Sequence, residues 1–209
     1  MEELEIKELN QEINPEFAFI VVMLGDSGVG KTSIIKRYIN NKFNEDEKSS
    51  IGTISNEKEV IIDDIKYKVV IWDTSGQEVY RSLTNLFVKG SNIVILVYSI
   101  ESLESFKNLN YWYGSLKEKV EENSHILAVI GNKSDMIDEE VVSEKDGKKF
   151  AKERNAIFRL VSAKEDPKGI TKLFEILLTE LIINKPNFDD NQSSRIYKKN
   201  RKKNKRKCC

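Results

Sequence analysis

The chain has 209 residues, enough for one domain with tails and a full hydrophobic core. Hydrophobic residues make up 39% and charged residues 33%, and no apolar run reaches the about 18 residues of a membrane-spanning helix. The only two cysteines, Cys208 and Cys209, are adjacent, which excludes a disulfide framework and a cysteine metal site.

The formal net charge of zero hides a division. Residues 198–207 carry eight basic side chains, leaving 26 basic against 34 acidic residues and a net charge of −8 over the rest of the chain. An acidic body with a basic tail is the pattern of an interaction tail.

Residues 1–16, with Glu2, Glu3, Glu5 and Glu8, read as an acidic leader, too polar for a secretory signal, so a cytosolic setting is expected. Residues 17–24 are an apolar strand. Gly25-Asp26-Ser27-Gly28-Val29-Gly30-Lys31-Thr32 then fits G-x-x-x-x-G-K-[ST] without mismatch, and Thr32 to Asn40 continue as a short helix. Residues 41–56 are polar, without periodicity, and read as a loop. Val60 to Ile62 and Tyr67 to Trp72 flank Asp63-Asp64, the pattern of a hairpin.

Ile93 to Tyr98 is a β-branched buried strand. Phe106, Leu109, Tyr113, Leu116 and Val120 recur at helical spacing, while Trp112 and Tyr113 read as packing residues. Ile126 to Ile130 is the next strand, preceded by the single histidine, His125, read as structural. A charged helix over Lys145 to Arg154, a strand over Ile157 to Val161 and a helix starting at Pro167 complete the pattern. Strands alternating with helices predict an α/β fold, and the glycine-rich motif between the first strand and the first helix makes it one of the P-loop NTPase type. It has a six-stranded, mostly parallel sheet with one antiparallel edge strand and helices on both faces. The predicted division is leader 1–16, globular domain 17–183 and disordered basic tail 184–209.

Ligands of such sheets bind beyond the carboxyl ends of the strands, and each chemical motif follows a strand. The glycine-rich loop lets backbone N–H groups curl around phosphates at a helix N-terminus. Lys31 reaches the β- and γ-phosphates and the Thr32 hydroxyl can ligate Mg²⁺. Asp73, ending the strand before Thr74-Ser75-Gly76-Gln77, stands where a carboxylate linked to Mg²⁺ belongs. Asn132-Lys133-Ser134-Asp135 follows another strand. A carboxylate at Asp135 accepts from N1–H and N2–H₂ of guanine, a donor pair that adenine lacks, which argues against an ATP-dependent enzyme. Backbone amides of Ser162-Ala163-Lys164 can meet the guanine O6.

These four segments, in this order and spacing, resemble the Ras superfamily of small GTPases, and WDTSGQE, YRSL, ESFKNLNYW and the terminal Cys-Cys are most similar to the Rab family. The resemblance implies GTP and GDP as ligands with Mg²⁺. Gly25, Ser27, Gly28, Val29, Gly30 and Lys31 would hold phosphates, with Ser33 and Ser162 counted among the nucleotide contacts. Thr32 and Asp73 would hold the metal, and the Gly76 N–H would contact the γ-phosphate. Gln77 and Lys31 would be catalytic, Gln77 orienting the attacking water. Asn132, Lys133, Asp135, Ala163 and Lys164 would hold the base, with Phe43 against it.

In the first switch segment an ungapped alignment places the family's Mg²⁺-ligating threonine at Ser50, with Thr53 as the rival. The chain departs from the Rab pattern at Ser55, where Rabs carry an aromatic that joins the positions of Trp72 and Phe87. It departs also at Val79 and Val88, and at Ser75 in place of alanine. The tail is similar to Rab tails prenylated on both cysteines, here Cys208 and Cys209. Two lipids, or one with a polybasic patch, anchor a protein stably, so the basic run is expected to meet a membrane and not nucleic acid.

The resemblance implies a GTP/GDP switch in vesicular traffic, slow in intrinsic hydrolysis. Its partners would be an exchange factor, a GTPase-activating protein, effectors and a GDI-type chaperone. It would sit on the cytoplasmic face of endomembranes or the plasma membrane, with a cytosolic pool. The alternatives are a GTP-binding interaction module with incidental hydrolysis, or a Ras/Rho-type signalling GTPase.

Overall fold

The apolar runs of the sequence assemble into a single sheet. The structure, a computed structural model, describes residues 18–47, 53–74, 88, 90–118, 120 and 124–183. Among these, six strands run β1 (Ala18–Leu24), β2 (Thr53–Ile62), β3 (Ile65–Thr74), β4 (Ile93–Ser99), β5 (Ile126–Asn132) and β6 (Ile157–Leu160). Their spatial order is β2-β3-β1-β4-β5-β6. All neighbours are parallel except β2 and β3, so β2 is the antiparallel edge, as expected. Among the described residues four α-helices accompany them: α1 (Lys31–Asn40), α2 (Leu103–Lys117), α3 (Glu144–Lys152) and α4 (Pro167–Ile183). No described helix is long and apolar enough to cross a membrane.

The strand alternation builds two cores. Val21, Met23, Ile93, Ile95 and Val97 face one side, packed with Ile34 and Ile35 of α1 and Leu173, Phe174 and Leu177 of α4. Val22, Leu24, Val94, Leu96 and Tyr98 face the other, packed with Leu109 and Trp112 of α2 and Phe150 of α3. Every residue of β4 is buried, which is why it reads as an uninterrupted apolar run. Serines cap two of the helices: Ser102 accepts from the Ser105 N–H and Ser143 from the Asp146 N–H, each at 3.2 Å.

Two sequence expectations change. The stretch 41–56, read as a loop, is strand from Thr53 onward, with Ser55 opposite Trp72 and Thr53 opposite Thr74. Its polar run hides an edge strand, held by its ladder to β3 and by ion pairs Lys66–Glu59 and Lys68–Glu57, each 2.7 Å. The Asp63-Asp64 turn does close the hairpin, with φ of 50° and 63° in the left-handed region of a two-residue turn. The stripe on α2 is also rotated: Leu109, Trp112 and Leu116 are buried, with Phe106 and Tyr113 half-buried at their flanks. Other boundaries shift by a residue or two. The leader 1–16 and the tail 184–209 lie outside the described residues.

Candidate functional site

The sheet brings its loops together at one end. Between β1 and α1, the glycine-rich loop turns with φ of 145° at Gly25, 77° at Gly28 and 93° at Gly30. A Cβ at Gly30 would lie 2.2 Å from Asn132 Nδ2, so the loop is packed directly against the end of β5. The Lys31 ammonium donates to Gly25 O at 2.8 Å and Asp26 O at 2.7 Å. Burial pulls its pKa down from 10.5 to about 8, against the opposing pull of Asp73 and Asp26.

Thr32 Oγ1 donates to Asp73 Oδ2 at 2.7 Å, joining the start of α1 to the end of β3. The next residue, Thr74, donates from Oγ1 to Met23 O at 2.5 Å and fixes β3 against β1. A hydroxyl beside a carboxylate is a set of hard oxygen donors that suits Mg²⁺. No cluster of three or more His, Cys, Asp or Glu that could hold a metal by itself occurs among the described residues.

The opposite side of the site is made by β5 and β6. Asn132, buried at the end of β5, donates from Nδ2 to Val29 O at 2.9 Å and accepts from the Ala163 N–H at 3.2 Å. One amide thereby spans the glycine-rich loop and the loop after β6. Asp135 Oδ1 accepts from Ser162 Oγ at 2.5 Å, and Ser162 Oγ itself accepts from the Glu165 N–H at 2.8 Å. The carboxylate is held with its second oxygen available for a ligand. Lys133 has a left-handed φ of 62° and its ammonium is paired with Glu101. Lys164 pairs with Glu45 at 2.5 Å, and that hydrogen bond raises its pKa.

Between these elements lies a cavity of about 580 Å³, within the range of small-molecule sites. Ser27, Gly28, Gly30, Lys31, Thr32 and Ser33 line one side of it. Phe43, Asn132, Lys133, Asp135, Ala163 and Lys164 line the other. Gly25, Val29 and Ser162 stand behind this lining, hydrogen-bonded to Lys31, Asn132 and Asp135 respectively. Asp73 is likewise behind the wall, reached through Thr32. Ser50, Gly76, Gln77, Cys208 and Cys209 lie outside the described residues.

Three contributors went unseen in the sequence. Arg37 on α1 donates from Nε to Ala163 O at 2.8 Å and from Nη2 to Lys164 O at 3.0 Å. Its Nη1 donates to Asn41 O at 3.0 Å, and its guanidinium lies 5.8 Å from the centre of the Phe43 ring. It thus holds the loop after β6 and the approach to Phe43 from one helix. Asn108 and Trp112 on α2 both donate to the carboxylate of Asp26, at 2.7 and 2.8 Å. Trp112 is buried as expected, yet its indole N–H serves the glycine-rich loop. A buried indole needs an acceptor, and that was the available signal.

Comparison with known proteins agrees with this geometry. The Ras family model matches residues 20–183. The chain is 36% identical over 171 residues to GTP-binding protein ypt3 of Schizosaccharomyces pombe, covering 82% of this chain and 79% of the relative. It is 36% identical over 183 residues to Ras-related protein Rab11C of Nicotiana tabacum, covering 86% and 82%. It is 35% identical over 172 residues to Ras-related protein RABA4a of Arabidopsis thaliana, covering 81% and 75%. With the matching model spanning most of the chain and the motifs converging on one cavity, the chain belongs to the Ras family, as a Rab-like small GTPase.

Proposed function

We propose that this GTPase is a switch of vesicular membrane traffic, with the roles of its site residues as follows. Backbone amides of the loop from Gly25 to Gly30 hold the phosphates. Lys31 leaves the loop carbonyls for the β- and γ-phosphate oxygens. Asp135 reads the N1–H and N2–H₂ edge of guanine, Phe43 covers the ring, and the amides of Ala163 and Lys164 face O6. Thr32, Asp73 and Ser50 hold Mg²⁺, which when bound offsets charge on the phosphate oxygens. The Gly76 N–H meets the γ-phosphate.

Gln77 orients a water in line with the γ-phosphorus. A bond forms from the water oxygen to phosphorus as the bond to the bridging oxygen breaks, giving GDP and phosphate. The ammonium of Lys31 stabilises charge on the leaving side. Loss of the γ-phosphate would release the switch segments before β2 and after β3, residues 48–52 and 75–82, and effectors would read the difference. An exchange factor, a GTPase-activating protein and a GDI-type chaperone would act on these states. Lipids on Cys208 and Cys209, with the eight basic residues of 198–207, would hold the protein on the cytoplasmic face of endomembranes.

The observation that carries the reading is the convergence on one cavity of Lys31 and Thr32 with Asp135 and Ala163. Single-turnover hydrolysis of GTP by the purified chain tests it, with and without a GTPase-activating extract. Gln77→Leu should lower the stimulated rate by about 10³-fold or more, since transition-state stabilisation of this kind is worth 10³–10⁵. A stimulated rate equal to that of the wild type would refute the role of Gln77. Preferential retention of ATP over GTP would refute the reading of the site.

A further inference from the structure

A carboxylate in the second position of a phosphate-binding loop carries the wrong sign for its surroundings. Asp26 does not line the cavity. Its two oxygens face away into α2, where Oδ2 accepts from Asn108 Nδ2 at 2.7 Å and Oδ1 accepts from Trp112 Nε1 at 2.8 Å. Asn108 and Trp112 are four residues apart, one above the other on the same helix face. Trp112 is only 2% exposed, so without Asp26 its N–H would be a buried donor deprived of this acceptor. The backbone carbonyl of the same Asp26 accepts from the Lys31 ammonium at 2.7 Å. One residue therefore links α2, through its side chain, to the lysine of the phosphate loop, through its main chain.

The link is placed to matter. Trp112 shares its buried cluster with Leu109 and Leu116 of α2 and with Val88, which follows the segment assigned above to sensing the γ-phosphate. Helix α2 is thus hydrogen-bonded to the loop that grips the phosphates.

We propose that Asn108 and Trp112 are positioning residues for the phosphate loop, fixing it through the Asp26 carboxylate and so setting how long nucleotide is retained. They touch neither phosphate nor base. They act by holding Asp26, and through it the main chain from which Lys31 departs to reach the ligand. The inference rests on the nucleotide-site reading above.

The test uses the full chain loaded with a fluorescent N-methylanthraniloyl-GDP, its release followed after a chase with excess GDP. Trp112→Phe keeps the ring and removes the donor, while Asn108→Ala removes the other. Each should raise the dissociation rate about three- to tenfold, the range expected for loss of a hydrogen bond to a charged group partly transmitted to the ligand. In Asp26→Ala neither change should raise the rate further, because the tie is already gone. Leu116→Ala, on the same helix and buried without reaching the loop, should lower the melting temperature and leave the rate within about twofold. Unchanged rates in both Trp112→Phe and Asn108→Ala would overturn the proposal. So would rates that follow melting temperature across the whole set, Leu116→Ala included. A wild-type chain that retains no guanine nucleotide would instead sink the reading on which the proposal rests.

Discussion

The two sides of the cavity are held in different ways. The base side is tied by side chains: Ser162 holds Asp135, Asn132 holds Ala163 and Val29, and Arg37 holds Ala163 and Lys164. These bonds leave a carboxylate oxygen and the rim residues where a base can meet them, with little to rearrange. On the phosphate side, among the described residues, the Lys31 ammonium is spent on the loop's own carbonyls. In the proposed binding mode Lys31 exchanges these partners for phosphate oxygens. A preorganised corner supplies recognition at low ordering cost, while a corner that must exchange partners can differ between ligands. One nucleotide can therefore be held through its base while its phosphate count sets the state of the protein.

This contrast can be broken by substitution. The largest effect is expected at the base: Asp135→Ala should weaken GDP by about 10³-fold, the worth of two hydrogen bonds to a charged group, read by calorimetric titration. A loss under about tenfold would show that the base side is not the principal anchor. Next comes Gly30→Ala, where the added Cβ would meet Asn132 Nδ2 at 2.2 Å in a left-handed backbone with φ of 93°. Strain and the displaced amide should together weaken GDP by about 10²-fold. Because Asn132 also holds Ala163, GMP should suffer nearly as much as GDP. A defect confined to GDP would mean that the two sides are independent. The smallest effect is expected for Arg37→Ala, which frees Ala163 O and Lys164 O: release of GDP should quicken about tenfold, measured by chase. Restoration by Arg37→Lys would show that charge suffices, and failure to restore that the planar fork is required.

Much of this was legible in the linear chain. The β-branched runs ending before Gly25, Asp73, Asn132 and Ser162 announce parallel strands whose carboxyl ends meet, and the residues after them carry the chemistry. What escaped was long-range and polar. Arg37 and Ala163 are 126 residues apart, and nothing local to either marks a bond between them. Trp112 fits an apolar stripe so well that its polar atom is overlooked, and its partner Asp26 is hidden inside a motif whose second position accepts any residue. The first part of β2, from Thr53 to Asn56, escaped because an edge strand needs no apolar alternation when its partner β3 supplies the buried face.

The Gly25 turn has a consequence for anyone moving this motif between proteins. A Cβ there would sit 2.2 Å from the carbonyl oxygen of Val97, in the fully buried central strand β4. The glycine is demanded by the neighbouring strand as much as by any anion, since backbone cannot yield as a side-chain tip can. The eight-residue signature is therefore not a portable part. Grafted onto another scaffold it would need that strand at the same separation, and a host whose central strand lies a methyl's width farther out would receive the letters of the motif without its curvature.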